Sequence, residues 1–318
     1  MMHGHAGTQR EENTMSKAER GALLGAIIAM ALGALWAWAG SQGTREVADY
    51  PLFALAALWA FALNWAVFVP SFLAHTEHYF DATGSLTYLT LALGTLWLTG
   101  ASDPRVLLLA AMVVLWALRL GTFLFARVRA DGRDGRFDAL KVSFPRFFMT
   151  WTLQGLWVLI TIGAALAAMA SDQSVPLGPF ALAGGALWLL GFILEVIADG
   201  QKRAFRRNPS NEGAFIQSGL WALCRHPNYL GEILLWLGVA LVAVPVLSGW
   251  QQLTLLSPVF VYVLLTRISG IPLLASRGKR RWGNDPAYQA YLDRTPVLFP
   301  RPLGRVRGPG AQGPVARG

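Results

Sequence analysis

Residues 148–170 read FMTWTLQGLWVLITIGAALAAMA, a run of 23 residues without a charge. About 20 predominantly apolar residues in helical conformation span the hydrocarbon core of a bilayer. The run has no polar face, so it does not suit a surface helix of a soluble domain. Similar blocks lie on both sides of it. The expected spans are 21–39, 51–73, 85–98, 104–125, 148–170, 179–198, 229–247 and 251–274, about eight in all. The span at 85–98 is the shortest. The chain is thus expected to be all-α, a multi-pass transmembrane helical bundle embedded in the lipid bilayer.

Composition agrees. The chain is 54% hydrophobic and 14% charged, against about 25% charged in soluble domains. The net charge of +9 does not call for a nucleic-acid partner, because cytoplasmic loops of membrane proteins collect Lys and Arg. Lys17 and Arg20 precede the first block. Arg127, Arg129, Arg133, Arg136, Lys141 and Arg146 fill one loop, and Lys202 to Arg207 and Arg277 to Arg281 fill later segments. Eight spans with an inside N-terminus place all of these on one side, with both termini cytoplasmic and the protein in the cell (inner) membrane. The chain divides into a polar tail at 1–20, a membrane domain at 21–300 and a Gly/Pro/Arg-rich tail at 301–318, expected to be disordered. Its one cysteine, Cys224, excludes an intrachain disulfide. Arg225 and His226 beside it are groups that lower a thiol pKa, though a lone thiol is most often inert.

Three stretches place polar side chains where a bilayer disfavours them, which marks function by default. In "GFILEVIADGQKRAFRRNP", Glu195, Asp199, Lys202 and Arg206 are spaced four, three and four apart and share one helix face. Asn208-Pro209 ends that helix. In "RHPNYLGEILLWLG", His226-Pro227-Asn228 forms a turn with Asn228 as the expected N-cap, and Tyr229, Glu232 and Trp236 follow on one face. Together with Arg225 and the basic face above, this is expected to form a pocket for an anionic ligand, with Trp221 and Trp236 available to a flat ring. In "HTEHYFDATGSLTYLT", Asp81, Ser85 and Tyr88 share a face, with Glu77 and Tyr79 just before it. A carboxyl group beside a phenol can polarise a carbonyl. His75 and His78 lack a clear third ligand, so no metal site is expected. Arg119 and Arg267 lie within spans and need anionic partners or ligands.

The strings "EVIADGQKRAF", "NEGAFIQSGLW" and "RHPNYLGEILLWLG" resemble the C-terminal region of the steroid 5-alpha-reductase superfamily, most of all its bacterial branch of uncharacterised membrane proteins. "RVRADGRDGRFD", "SGIPLL" and "AYQAYLDRTPVLFP" extend the resemblance, with a cofactor half at about 190–300. It implies a membrane-embedded reductase of a conjugated C=C bond in a steroid- or isoprenoid-like lipid, with NADPH as cofactor. Under that resemblance Glu195 stands where the superfamily usually has a cofactor-contacting Asn. Asp199, Arg206, Asn228, Glu232, Trp236 and Arg267 match cofactor positions. Lys202, Arg225, His226 and Tyr229 complete the candidate set. Ile271 and Ala275 stand where the animal steroid enzymes carry His and Tyr, and Arg277 to Arg281 are the available substitutes. For catalysis the candidates are Tyr88 with Glu77, then Tyr79 and Asp81. Two other readings stay open. One is an S-adenosylmethionine-dependent membrane methyltransferase of the isoprenylcysteine carboxyl methyltransferase type. The other is a non-catalytic lipid-binding membrane protein.

Overall fold

The computed structural model describes residues 15–100, 102–131, 135 and 137–300. Arg133, Arg136 and the expected tail at 301–318 lie outside the described residues, as do residues 1–14 and the side chains of Arg127 and Arg129. Among the described residues the protein is helical, with one two-residue hairpin, β1 (Glu46–Val47) against β2 (Tyr50–Pro51). Seven helical segments are long and apolar enough to cross a bilayer, so the multi-pass class holds. The chain forms two compact units. The first holds residues up to 174 together with 246–254, and the second holds 175–245 and the chain from 255 onward.

The first unit is built on α5 (Phe144–Ala170), which contains the run quoted above. It is packed against α1 (Lys17–Gly40), α2 (Leu52–Leu73), α3 (Phe80–Thr99) and α4 (Pro104–Asp131). Every residue from Thr161 to Ala170 is buried, as a helix apolar all round requires. One end of α5 carries an aromatic cluster in which Phe147 and Trp151 pack with Phe68 of α2 and with Phe137. The expected span at 85–98 forms as the longer helix α3, yet it is not among the seven apolar spans. Its hydroxyls explain the second fact. Thr83, Ser85, Thr87 and Thr99 each donate to the carbonyl four residues earlier. The polar groups lower the hydropathy, but the helix satisfies them internally.

The second unit contains α6 (Pro179–Arg207), α7 (Leu220–Leu223), α8 (Pro227–Ala243), α9 (Ser257–Val263), α10 (Ile271–Trp282) and α11 (Pro286–Arg294). The expected span at 251–274 is not one helix. A 3₁₀ segment at Gly249–Leu256 leads into α9, a π-turn follows at Leu264–Ile268, and α10 starts afresh after Gly270. Pro258 and Pro272, each in the first turn of a new helix, lack the N–H that would continue the preceding one.

Candidate functional site

The site in the second unit begins with a seam of glycines. Gly184 and Gly191 of α6 face Gly238 and Gly231 of α8. A Cβ added to Gly191 would lie 2.5 Å from the Gly231 carbonyl oxygen, and one added to Gly184 would lie 2.6 Å from that of Gly238. The two backbones therefore touch, which only glycine permits. One turn beyond Gly191, Glu195 continues the seam, and a Cβ on Gly231 would meet its backbone nitrogen at 2.7 Å. Glu195 is 3% exposed and Asp199 7%. The Asn228 side-chain amide donates to Asp199 Oδ1 at 3.2 Å. Asn228 is not the N-cap: His226 holds that position and Pro227 is the first helical residue. The amide of Asn228 reaches across to α6 instead of folding back on its own helix. Glu232 is half-buried and Trp236 is fully buried within α8.

Along α6 the polar face grades outward. Glu195 and Asp199 are buried, Lys202 is half-buried and Arg206 is exposed. Asn208 is extended and closes the helix. Trp221 of α7 is buried and donates from Nε1 to the Ala198 carbonyl at 3.0 Å. The Lys202 ammonium lies 4.6 Å from the centroid of the same ring, a cation–π geometry. Gly219, at φ +61, leads into α7, and the Leu220 N–H donates to Gln201 Oε1 at 2.9 Å. The C-terminal segment closes over this group. The Tyr291 hydroxyl donates to the Trp221 carbonyl at 2.9 Å, and the Arg225 N–H donates to that of Pro296 at 2.9 Å.

These elements enclose a cavity of about 730 Å³, a size typical of small-molecule sites. Six bases line it, Lys202, Arg206, Arg207, Arg225, Arg277 and Arg281, against one acid, Glu212. Aromatic walls come from Phe215, Trp221, Trp282, Tyr288 and Tyr291. His226 also lines it. Burial, then the charges of Lys202 and Arg225, push its imidazole down to about 3, so the ring is neutral. Burial pushes the Tyr291 phenol up to about 12. Cys224 is 1% exposed, and burial raises its thiol pKa despite the basic neighbours.

The cavity thus brings together Lys202, Arg206, Arg225 and His226 of the expected cofactor set. Glu195, Asp199 and Asn228 belong to the helix seam. Tyr229 stacks on His226 with ring centroids 5.5 Å apart. Arg267 sits exposed in the π-turn and is not among the cavity walls. Tyr288, Tyr291 and Trp282 were not singled out from the sequence, where they appear only as aromatic residues in a polar C-terminal stretch.

The early-helix candidates belong to the first unit. Glu77 is buried and paired with Lys141, Oε2 to Nζ, at 2.7 Å. Tyr79 is exposed at the start of α3, and Asp81 is half-buried in its first turn. Tyr88 is buried and sits edge-on to Trp116, with centroids 5.0 Å apart. Eight residues of helix separate Phe80 from Tyr88, a rise of about 12 Å. Glu77, which precedes α3, and Tyr88 therefore sit at different levels.

Against known proteins, the chain is 27% identical over 150 residues to a probable O-methyltransferase of Ustilaginoidea virens, covering 47% of this chain and 51% of that protein. It is 25% identical over 248 residues to an uncharacterized protein of Schizosaccharomyces pombe, covering 68% of each. It is 35% identical over 74 residues to a Delta(14)-sterol reductase of Mus musculus, covering 19% of this chain and 18% of that protein. The chain thus spans about half the length of the methyltransferase and less than a fifth of the sterol reductase. No solved structure gives a significant match. The pattern of the family described as protein of unknown function (DUF1295) matches residues 65–295, most of the chain, and the protein belongs to that family, within the steroid 5-alpha-reductase-like superfamily.

Proposed function

We propose that the protein is a membrane-embedded reductase that uses NADPH to saturate a conjugated C=C bond in a steroid- or isoprenoid-like lipid. The observation that carries this reading is the charge of the cavity in the second unit, six bases to one acid. Arg and Lys are the side chains that hold phosphates, Arg by paired N–H groups. The Arg225 Nε is buried without a hydrogen-bond partner among the described residues, a cost that an acceptor on a ligand removes. Lys202, Arg206, Arg207, Arg225, Arg277 and Arg281 are the residues assigned to the phosphates. When bound, NADPH supplies a hydride. Hydride addition at the β carbon of a conjugated carbonyl would give an enolate whose oxygen a positioned donor stabilises, and a proton from water at the α carbon would complete the saturation. Tyr88 is the phenol we assign to the donor role. Glu77, Tyr79 and Asp81 are the remaining candidates.

The methyltransferase reading has support of its own, since that relative covers more of the chain than the sterol reductase does. Its ligand, S-adenosylmethionine, carries a sulfonium and an ammonium against one carboxylate. Its net positive charge opposes the six bases. Titrating the purified full chain with NADPH and with S-adenosylmethionine separates the two. We expect NADPH alone to bind. Arg277→Ala and Arg281→Ala each remove a charge-assisted contact of about 1.5–3 kcal/mol, which weakens binding about 10- to 100-fold. Binding of S-adenosylmethionine without NADPH transfers the site to methyl transfer. Binding of neither leaves a lipid-binding protein.

A further inference from the structure

The second unit has another cavity, of about 510 Å³. It shares Arg225, His226, Leu274, Tyr288 and Tyr291 with the basic cavity, so these side chains form a common wall. Its remaining walls have a different chemistry. Ile271, Leu292 and Val297 are hydrocarbon, the charged groups are Arg225 and Lys279, and no acid lines it. Two other polar groups in the wall are already engaged. The Gln289 amide donates to the Gly283 carbonyl at 2.7 Å, and the Tyr291 hydroxyl to the Trp221 carbonyl. The Arg225 Nε and the His226 Nδ1 are buried and have no hydrogen-bond partner among the described residues. Buried polar atoms without a partner are rare. The His226 ring is neutral, so the positive charge facing the cavity comes from Arg225 and Lys279. A polyphosphate does not suit such a chamber, which offers two cations and much hydrocarbon. A molecule with one anionic head and an apolar body does.

We propose that this cavity binds an anionic amphiphile of the long-chain carboxylate type, its head on Lys279 and on Arg225 at the wall shared with the basic cavity, and its chain along Ile271, Leu292 and Val297. The test is equilibrium binding of radiolabelled oleate to the full chain in nanodiscs of zwitterionic phosphatidylcholine. We expect saturable uptake of one oleate per chain. Lys279→Ala should weaken it at least tenfold. Arg280→Ala, which removes the adjacent cation that lines neither cavity, should leave it unchanged. Oleyl alcohol, with the same chain and no charge, should bind at least tenfold more weakly than oleate. The proposal is overturned if the wild type shows no saturable uptake, if Lys279→Ala binds oleate as the wild type does, or if the alcohol matches the acid. Adding phosphatidylglycerol to the discs identifies the source of the anion. Displacement of oleate that depends on Lys279 assigns the site to a bilayer lipid, and lack of displacement assigns it to a free acid. NADPH binding measured on the same discs keeps the two proposals distinct: its loss with oleate binding retained counts against the basic cavity alone.

Discussion

Lys141 places its ammonium 2.7 Å from a Glu77 carboxylate whose side chain is 4% exposed. Breaking a buried ion pair by removing one partner costs up to about 3–5 kcal/mol. Lys141→Ala should therefore lower the melting temperature sharply, and the double change Glu77→Gln with Lys141→Ala should recover most of it. A catalytic role for Glu77 predicts instead that the double variant regains stability and no activity. His226 gives a pH signature. Its folded value of about 3 lies below the ordinary 6.5, so between those limits the unfolded chain binds more protons than the folded one. The stability tied to the neutral ring is complete above pH 6.5 and is lost as pH falls toward 3. Melting temperature should decline from pH 6.5 to 4, and His226→Asn should flatten that decline. At this scale the sequence was readable where spacing sets geometry. Glu195, Asp199, Lys202 and Arg206 share a helix face because three and four are the helix's own intervals. It was unreadable where partners are distant. Nothing local ties Lys141 to Glu77, or Tyr291 to Trp221.

The pair α6 and α8 is held by backbone proximity. Gly191→Ala should therefore be costly, because its Cβ meets the Gly231 carbonyl and the Leu235 nitrogen, each at 2.5 Å, and neither can yield as a side chain would. Overpacking of this kind costs about 1–3 kcal/mol. Gly185→Ala is the internal control. Its Cβ meets nothing within 4 Å, and exchanging helical Gly for Ala is favourable by about 1 kcal/mol. Melting curves of the two variants in one detergent should move in opposite directions. Equal shifts would mean that the seam opens in the protein. Element boundaries were legible where Pro or a polar run interrupts an apolar block, as at Pro104 and Pro179. Two elements were not. α3 begins at Phe80, five residues earlier than its hydropathy suggests, and its hydroxyls bond within the helix. The last apolar block breaks at the π-turn, and such a turn leaves no compositional mark.

For the molecule as a whole, orientation rests on the excess of Lys and Arg in particular segments. Single cysteines in place of Arg203 and Arg280 should be sheltered from a membrane-impermeant maleimide in intact cells, and one in place of Gln173 should be labelled. The reverse pattern would invert the chain. The multi-pass class followed from the apolar runs and the composition, whereas the cavity in the second unit depends on α10 and α11 closing over α6 and α7, which only long-range contacts specify. Cys224 makes the labelling practical. A thiol that is 1% exposed and held protonated by its surroundings is a poor nucleophile. The natural chain therefore serves as its own silent background, and a reporter sulfur can be walked along every loop without first engineering the native one away.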